Sequence, residues 1–354
     1  RALMQVDYPQ ERLTIMPIND RSTDKTAEII DEIARARPGL VRPLHRNGGK
    51  PGKAAALKEA TKLISSDIII VFDADYFPSR GLVKRLVSPF FDPEVGATMG
   101  RVVPLNVGSN LLTRLLDIER AGGYQVDQQA RMNMGLVPQY GGTVGGVRMA
   151  ALHEVGGWHD DVLAEDTDLT YRLLLEGWKT VYENRAECYE EVPETWPTRI
   201  RQIMRWARGH NQSLWRHFGK VFMERHVGFW ERVDGLALLG VYALSPLIVL
   251  GWICAIVLFY LNFTPLSASL LALLAVVSYG ALGNFAAFFE VATASFLDGS
   301  RERIRLLPMN FFNFLISLVA ITRASLYQMM VGPFTKRENG WDKTTRYRVH
   351  SLLS

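Results

Sequence analysis

Residues 67–75 read Asp-Ile-Ile-Ile-Val-Phe-Asp-Ala-Asp (DIIIVFDAD), and this stretch decides the fold class. Five consecutive apolar residues, four of them β-branched, describe a strand covered on both faces, because an exposed face would impose alternation with polar residues. The strand ends in two carboxylates, Asp73 and Asp75, which it displays at its C-terminal mouth. Outward from it, the pattern alternates between strand and helix. Residues 12–20 (RLTIMPIND) read as a buried strand with a polar tip at Asp20, followed by a helix over 24–36. A glycine-rich turn, NGGKPGK, then leads into a helix over 54–64. Such alternation predicts an α/β domain with a mostly parallel, doubly wound sheet. Ligands of these sheets bind beyond the carboxyl ends of the strands, where Asp20, Asp73 and Asp75 lie.

Downstream, residues 96–105 (GATMGRVVPL) read as a further strand and 109–134 as one long helix. Residues 141–158 form a glycine-rich turn entering a helix, and 164–178 a helix with acids in its first turn. Residues 194–222 are basic, aromatic and amphipathic. The segregation of residue classes is sharp: of 354 residues, 48% are hydrophobic and 21% charged, yet charge nearly vanishes from 236–290. The run 235–261 holds 27 residues without a charge, enough to cross a bilayer, and 266–289 is equally uncharged. The stretch 306–331 carries Asn310, Asn313, Arg323 and Gln328, costly groups at a bilayer centre. It therefore reads as an interfacial or re-entrant helix, with a third span as the alternative.

The net charge of +4 is modest, and the excess Lys and Arg lie in 199–225, 301–305 and 336–348, beside the apolar runs. That distribution is the positive-inside signature of a multi-pass membrane protein whose soluble half is cytosolic, and it excludes a nucleic-acid stripe. Two cysteines, Cys188 and Cys254, exclude a disulfide framework and a cysteine zinc site. Arg1 opens in mid-pattern, so further chain is expected upstream.

Several side chains have the types that bind metal and phosphate or move a proton. Asp73 and Asp75 offer hard oxygen ligands for Mg2+ or Mn2+ bridging a diphosphate, although Asp-x-Asp is also a common turn. Asp20 either caps its own helix or reads a nucleotide base or ribose. Lys53, beside a helix start, is either a solvated loop cation or a phosphate contact. Glu165 and Asp166 open a helix, where a capping carboxylate is one reading and a general base for an acceptor hydroxyl the other. Gln202, Arg205 and Trp206 fall at i, i+3 and i+4. They suit a helix lying on the membrane, or an arginine for a leaving diphosphate beside an indole platform for a sugar ring.

The ordered series Asp20, Gly52-Lys53, Asp73-x-Asp75, Gly142-Thr143, Glu165-Asp166 and Gln202-x-x-Arg205-Trp206, followed by membrane spans, resembles the processive glycosyltransferase family 2 enzymes. Cellulose, hyaluronan, poly-N-acetylglucosamine and bacterial β-glucan synthases belong to that group. The resemblance implies a GT-A fold and an inverting displacement of UDP by an acceptor hydroxyl. Asp20 and Asp73 would contact the uridine diphosphate with Lys53 assisting, and Asp75 would ligate the metal. Asp166 would be the base with Glu165 beside it, Arg205 would hold the diphosphate, and Trp206 would stack on the terminal sugar of a growing polysaccharide. Trp341-Asp-Lys-Thr344-Thr-Arg346 looks like the gating segment that such synthases place over the donor.

The organisation expected is thus a GT-A domain over 1–192, interface helices over 193–234, two spans over 235–290, a cytosolic loop and interfacial helix over 291–335, and a gating segment over 336–354. UDP-glucose is the expected donor and a β-glucan exported across the plasma membrane the expected product; accessory subunits stay open. A lipid-linked transferase adding one sugar, and a non-catalytic transporter or scaffold, are the alternatives. Three departures stand out: Ala164 replaces the group's usual threonine before the two acids, the usual first strand with its nucleotide contacts is absent, and so are further spans at both ends.

Overall fold

The computed structural model describes residues 1–261, 286 and 288–332. Strand β1 (Ile18–Asp20) pairs in parallel with β2 (Leu44–Arg46), with Asp20 opposite Arg46 and α1 (Thr26–Ala36) as the crossover. Helix α2 (Lys53–Thr61) leads to β3 (Ile68–Val71), which delivers the Asp73–Asp75 segment. Next come β4 (Phe77–Pro78), α3 (Leu82–Val87) and β5 (Val95–Pro104). After α4 (Leu111–Ala121) and α5 (Gln129–Asn133) the chain forms β6 (Gly145–Arg148), α6 (Met149–Glu154), α7 (Glu165–Leu175) and β7 (Lys179–Glu190).

The main sheet has the order β3-β6-β5-β7-β4. It is mixed: β5 and β7 run parallel, while β3–β6, β6–β5 and β4–β7 are antiparallel. The expectation of a mostly parallel sheet is corrected here. Its local strand–helix alternation builds only the β1–β2 pair. The strand that β3 joins, β6, comes from the glycine-rich segment GGVR, in which Val147 is the one β-branched residue of the kind that marks strands in a sequence.

Two apolar clusters flank this sheet. Ile69, Val71, Val147, Leu152, Trp158, Leu169 and Leu173 pack α6 and α7 on one side, and Leu82, Leu86, Met99, Val144 and Cys188 pack α3 on the other. Full burial of such side chains, at about 1.5–3 kcal/mol each, fixes the sheet and therefore the direction in which β3 aims its acids.

Residues 111–133 are continuous helix, as the sequence predicts, but Gly122–Gln128 forms a π-helical turn. Helix α8 (Trp196–Met223) is followed by α9 (Phe229–Gly240) and α10 (Leu244–Tyr260). The expected straight span 235–261 is not straight: α9 and α10 meet at a bend of 67°. Pro246 lacks the N–H that would bond Tyr242 O, and its ring clashes with that carbonyl, so the helix restarts within the first turn of α10. Most of the predicted second span, 266–289, lies outside the described residues.

Helix α11 (Phe288–Leu297), α12 (Arg301–Arg305) and α13 (Leu307–Val331) close the described part. At 25 residues α13 is an unbroken helix, long and apolar enough to cross a membrane by length and composition. Asn313, Ser325 and Gln328 of this helix are engaged within the protein. Asn211 donates to Ser325 and Gln328 at 3.0 Å each, Gln328 donates to Arg208 O at 3.1 Å, and Asn313 donates to Glu119 at 3.3 Å.

Candidate functional site

Four segments distant in sequence converge beyond the C-terminal end of β3. Lys53, the first residue of α2, places Nζ 2.8 Å from Asp73 Oδ1 and 3.8 Å from Glu165 Oε1. One ammonium therefore joins the carboxylate at the strand mouth to the first turn of α7. Burial opposes the charge on Lys53, but Asp73, Glu165 and Asp166 outweigh it and raise its pKa. The Asp73 amide donates to Thr143 Oγ1 at 3.1 Å, tying the Asp-x-Asp segment to the loop before β6. Asp75, two residues on, is half-buried.

Asp20 does not cap α1, whose N-cap is Lys25; Asp24, just before it, accepts the Thr26 amide at 3.0 Å. The Asp20 carboxylate instead accepts the Gly52 amide at 3.0 Å and pairs with Arg46 at 2.9 Å. It thus ties the tip of β1 to the loop that launches Lys53.

At the start of α7, Asp166 Oδ1 accepts the Thr167 amide at 2.7 Å. Across from it Gly142 has φ +71°, and a Cβ there would lie 2.9 Å from Asp166 Oδ2. The left-handed backbone and the close approach both require glycine at this point.

Burial pushes the Glu165 carboxyl up to about 7, with Asp166 reinforcing the shift and Lys53 opposing it. Because the folded value exceeds the unfolded 4.5, this group's favourable contribution is complete below pH 4.5 and is lost as pH rises through about 7. Above that, burying the charge costs on the order of 3 kcal/mol. Glu165→Gln should therefore raise the melting temperature at pH 8 by several degrees and leave it unchanged at pH 4. Equal shifts at both pH values in thermal unfolding would disprove the assignment.

Helix α8 closes the site. A Cβ on Gly209 would lie 2.6 Å from Ala164 Cβ and 2.9 Å from Ala164 N, so α8 crosses the start of α7 at a contact open only to small residues. The alanine at 164 belongs to that contact. Gly209→Ala should destabilise the protein by about 1–3 kcal/mol through overpacking and lower activity with it; unaltered melting and turnover would show that the crossing yields freely.

On α8, Gln202 Oε1 accepts from Arg199 Nη1 at 2.9 Å, and Arg205 is half-buried. The Trp206 indole is flanked by the Arg199 and Arg120 guanidiniums, at 5.1 and 5.3 Å from the ring centre. Arg199 is paired with Glu119 at 2.5 Å, and Arg120 with Glu190 at 2.6 Å. Tyr76 donates to the same Glu190 at 2.6 Å, so a ladder of charges runs from the strand mouth to the indole.

The structure thus gathers Asp73, Lys53, Glu165 and Asp166 directly, with Asp20 one contact away. Trp341, Thr344 and Arg346 lie outside the described residues. Several site neighbours go unmarked in the sequence. Arg120, Glu119 and Glu190 have no local pattern. Asp168 is fully buried and binds His159, His217 and Arg172 at 2.8 Å each, locking α7 to α8 from behind. His210 sits one turn beyond Trp206, the spacing that alone could have flagged it.

A mixed sheet whose strand-end acids meet a lysine and a helix-borne carboxylate pair defines a GT-A transferase acting on nucleotide-activated sugars. The chain belongs to glycosyl transferase family group 2, whose model matches residues 68–287, and it is a glycosyltransferase. It is 28% identical to the "Probable glycosyltransferase YdaM" of Bacillus subtilis, over 99% of this chain and 83% of that protein. It is 31% identical to the beta-monoglucosyldiacylglycerol synthase of Synechocystis, over 69% of this chain and half of that one. Among solved structures, the mannosyltransferase PcManGT of Pyrobaculum calidifontis, in complex with GDP-Man and Mn2+, superposes with a TM-score of 0.57 at 20% identity. That match covers 92% of this chain and 81% of PcManGT, and it shows the shared fold.

Proposed function

We propose that the protein transfers a hexose, with UDP-glucose as the first donor to test, onto a hydroxyl of a saccharide acceptor held at a membrane, with inversion at the anomeric carbon. The observation that carries this reading is the Lys53 bridge, which sets the strand-mouth Asp73 beside Glu165 and the neighbouring Asp166. In the proposed step the acceptor proton passes to Asp166, the acceptor oxygen bonds to the anomeric carbon, and the bond from that carbon to the diphosphate breaks. Asp20 holds the loop before α2 and, in this reading, faces the nucleoside. Lys53 and Arg205 take the diphosphate charge, and Gln202 and Trp206 line the acceptor end.

The donor set also fits a divalent metal. Asp73 and Asp75 supply hard oxygens at one strand mouth, and among the described residues no group of three or more histidine, cysteine or acidic side chains is placed to hold an ion. Two carboxylates plus donor phosphates match Mg2+ or Mn2+, which would neutralise the charge developing on the diphosphate.

The extended reading, processive synthesis and export of a β-glucan by a multi-pass membrane protein with a cytosolic catalytic domain, rests on the resemblance of the motif series. A second reading, one sugar added to a lipid, is favoured by a cavity of about 720 Å3 between α8, α10 and α13. It is lined by Met204, Val249, Val319, Leu326 and Met330 beside Arg208, which would suit an acyl chain. Purified protein given radiolabelled UDP-glucose separates the two. A high-mass product cut by β-glucanases supports polymerisation, a single organic-soluble glycolipid supports the second reading, and no transfer from UDP-glucose, UDP-N-acetylglucosamine or GDP-mannose refutes both.

A further inference from the structure

His210 lies one helical turn beyond Trp206 on α8, wedged between the start of α7 and the bend that separates α9 from α10. Its Nε2 is 3.3 Å from Thr167 Oγ1, and its ring meets Tyr242 edge-on with centres 4.7 Å apart. Thr167 Oγ1 in turn contacts Asp166 Oδ1 at 3.4 Å. We assign the threonine proton to the Asp166 carboxylate, which can only accept, so that the hydroxyl receives its other hydrogen bond from Nε2–H. In that tautomer Nδ1 is a lone-pair acceptor. It is buried, and it has no hydrogen-bond partner among the described residues. A buried acceptor left unmatched is costly and rare, which calls for a ligand that supplies the missing donor.

We propose that Nδ1 of His210 accepts a hydrogen bond from a second, non-reacting hydroxyl of the acceptor, and so selects acceptors that carry a neighbouring hydroxyl. This rests on the transfer reading above and names its acceptor class: a sugar ring or another polyol, in contrast to the single hydroxyl of a diacylglycerol. Burial holds the imidazole neutral, with its pKa lowered to about 4, and the nearby Asp166 opposes that shift only in part. A neutral ring accepts from a hydroxyl without taking its proton. The reacting hydroxyl is left to Asp166, so the two side chains fix two points of one acceptor ring and determine which hydroxyl attacks.

The test is a double-mutant cycle between the enzyme and the acceptor. Octyl β-glucoside and its monodeoxy analogues are offered to wild type, His210→Phe and His210→Asn, with dioleoylglycerol in mixed micelles as the single-hydroxyl comparison. Wild type should lose on the order of tenfold in kcat/KM with one deoxy analogue, the size expected for one hydrogen bond to a buried partner. His210→Phe keeps the ring volume against Tyr242, and it should lose a similar factor with the parent glucoside and nothing further with that analogue. His210→Asn places an amide oxygen near the Nδ1 position and should recover the discrimination. If His210→Phe discriminates between the glucosides as wild type does, the contact does not exist. If dioleoylglycerol is glycosylated and the glucoside is not, the polyol acceptor is overturned while glycosyl transfer stands; transfer to neither probe overturns both.

Discussion

Asp166→Asn should lower turnover by about 10²–10⁴-fold, the range for loss of a positioned general base, while donor affinity stays within about twofold of wild type. The substitution isolates proton transfer because the geometry survives it. Asp166 Oδ1 accepts the Thr167 amide at 2.7 Å, and an asparagine oxygen can accept the same bond. The close face at Gly142 sees a group of equal size. What disappears is the capacity to take a proton from the acceptor hydroxyl. In the proposed reading donor binding draws instead on Lys53 and the strand-mouth acids, and Lys53 pairs with Asp73 at 2.8 Å and lies 3.8 Å from Glu165, neither contact passing through residue 166. Donor affinity is read by titrating UDP against intrinsic fluorescence, and turnover by release of UDP in the presence of acceptor. Turnover above about a tenth of wild type would remove Asp166 from the role of base and direct attention to Glu165.

The legible part of this fold is the part written locally. Strand β3 declares itself because both its faces are covered, and the acids at its end are aimed by that strand alone. Helices α1, α7 and α8 follow from apolar spacing within one segment. The mixed sheet is not legible, because β6 is half glycine and its antiparallel partners lie 74 and 48 positions away in register, Val71 with Gly145 and Thr98 with Gly146. The bend before α10 is legible after the fact in Ser245-Pro246, which interrupts an otherwise uniform apolar run.

At the site, sequence supplies residue types and the fold decides between their readings. Asp20 becomes an anchor for the loop before α2 because its carboxylate accepts the Gly52 amide and pairs with Arg46. Trp206 stands between two arginines because Arg120 and Arg199 arrive from different helices, each balanced by its own glutamate. His210 and Asp168 look in sequence like any polar residues of amphipathic helices, and only burial separates them from solvated ones.

Asp75→Ala should lower kcat/KM by about 10²–10³-fold, and chelation with EDTA should bring wild type to a similar floor that excess Mn2+ restores. The argument turns on which charges already share the strand mouth. Asp73 Oδ1 is held by the Lys53 ammonium at 2.8 Å, so a cation approaching Asp73 meets a positive charge already in place. Among the described residues no group of three or more histidine, cysteine or acidic side chains is placed to hold an ion, so the protein is a weak host for the metal by itself. A diphosphate changes the balance, because it adds hard oxygens for the ion and draws Lys53 toward its own charge. Metal and donor must then strengthen each other by the same factor, since coupling between two binding equilibria is reciprocal. Mn2+ titrated against wild type and followed by electron paramagnetic resonance should bind at least tenfold more tightly with saturating UDP than without it. In Asp75→Ala that gain should disappear, and UDP should bind as it does to the metal-free wild type. Mn2+ binding that is equally tight with and without UDP would mean that the ion is held by side chains other than the strand-mouth pair, and Asp75 would lose its place as a ligand.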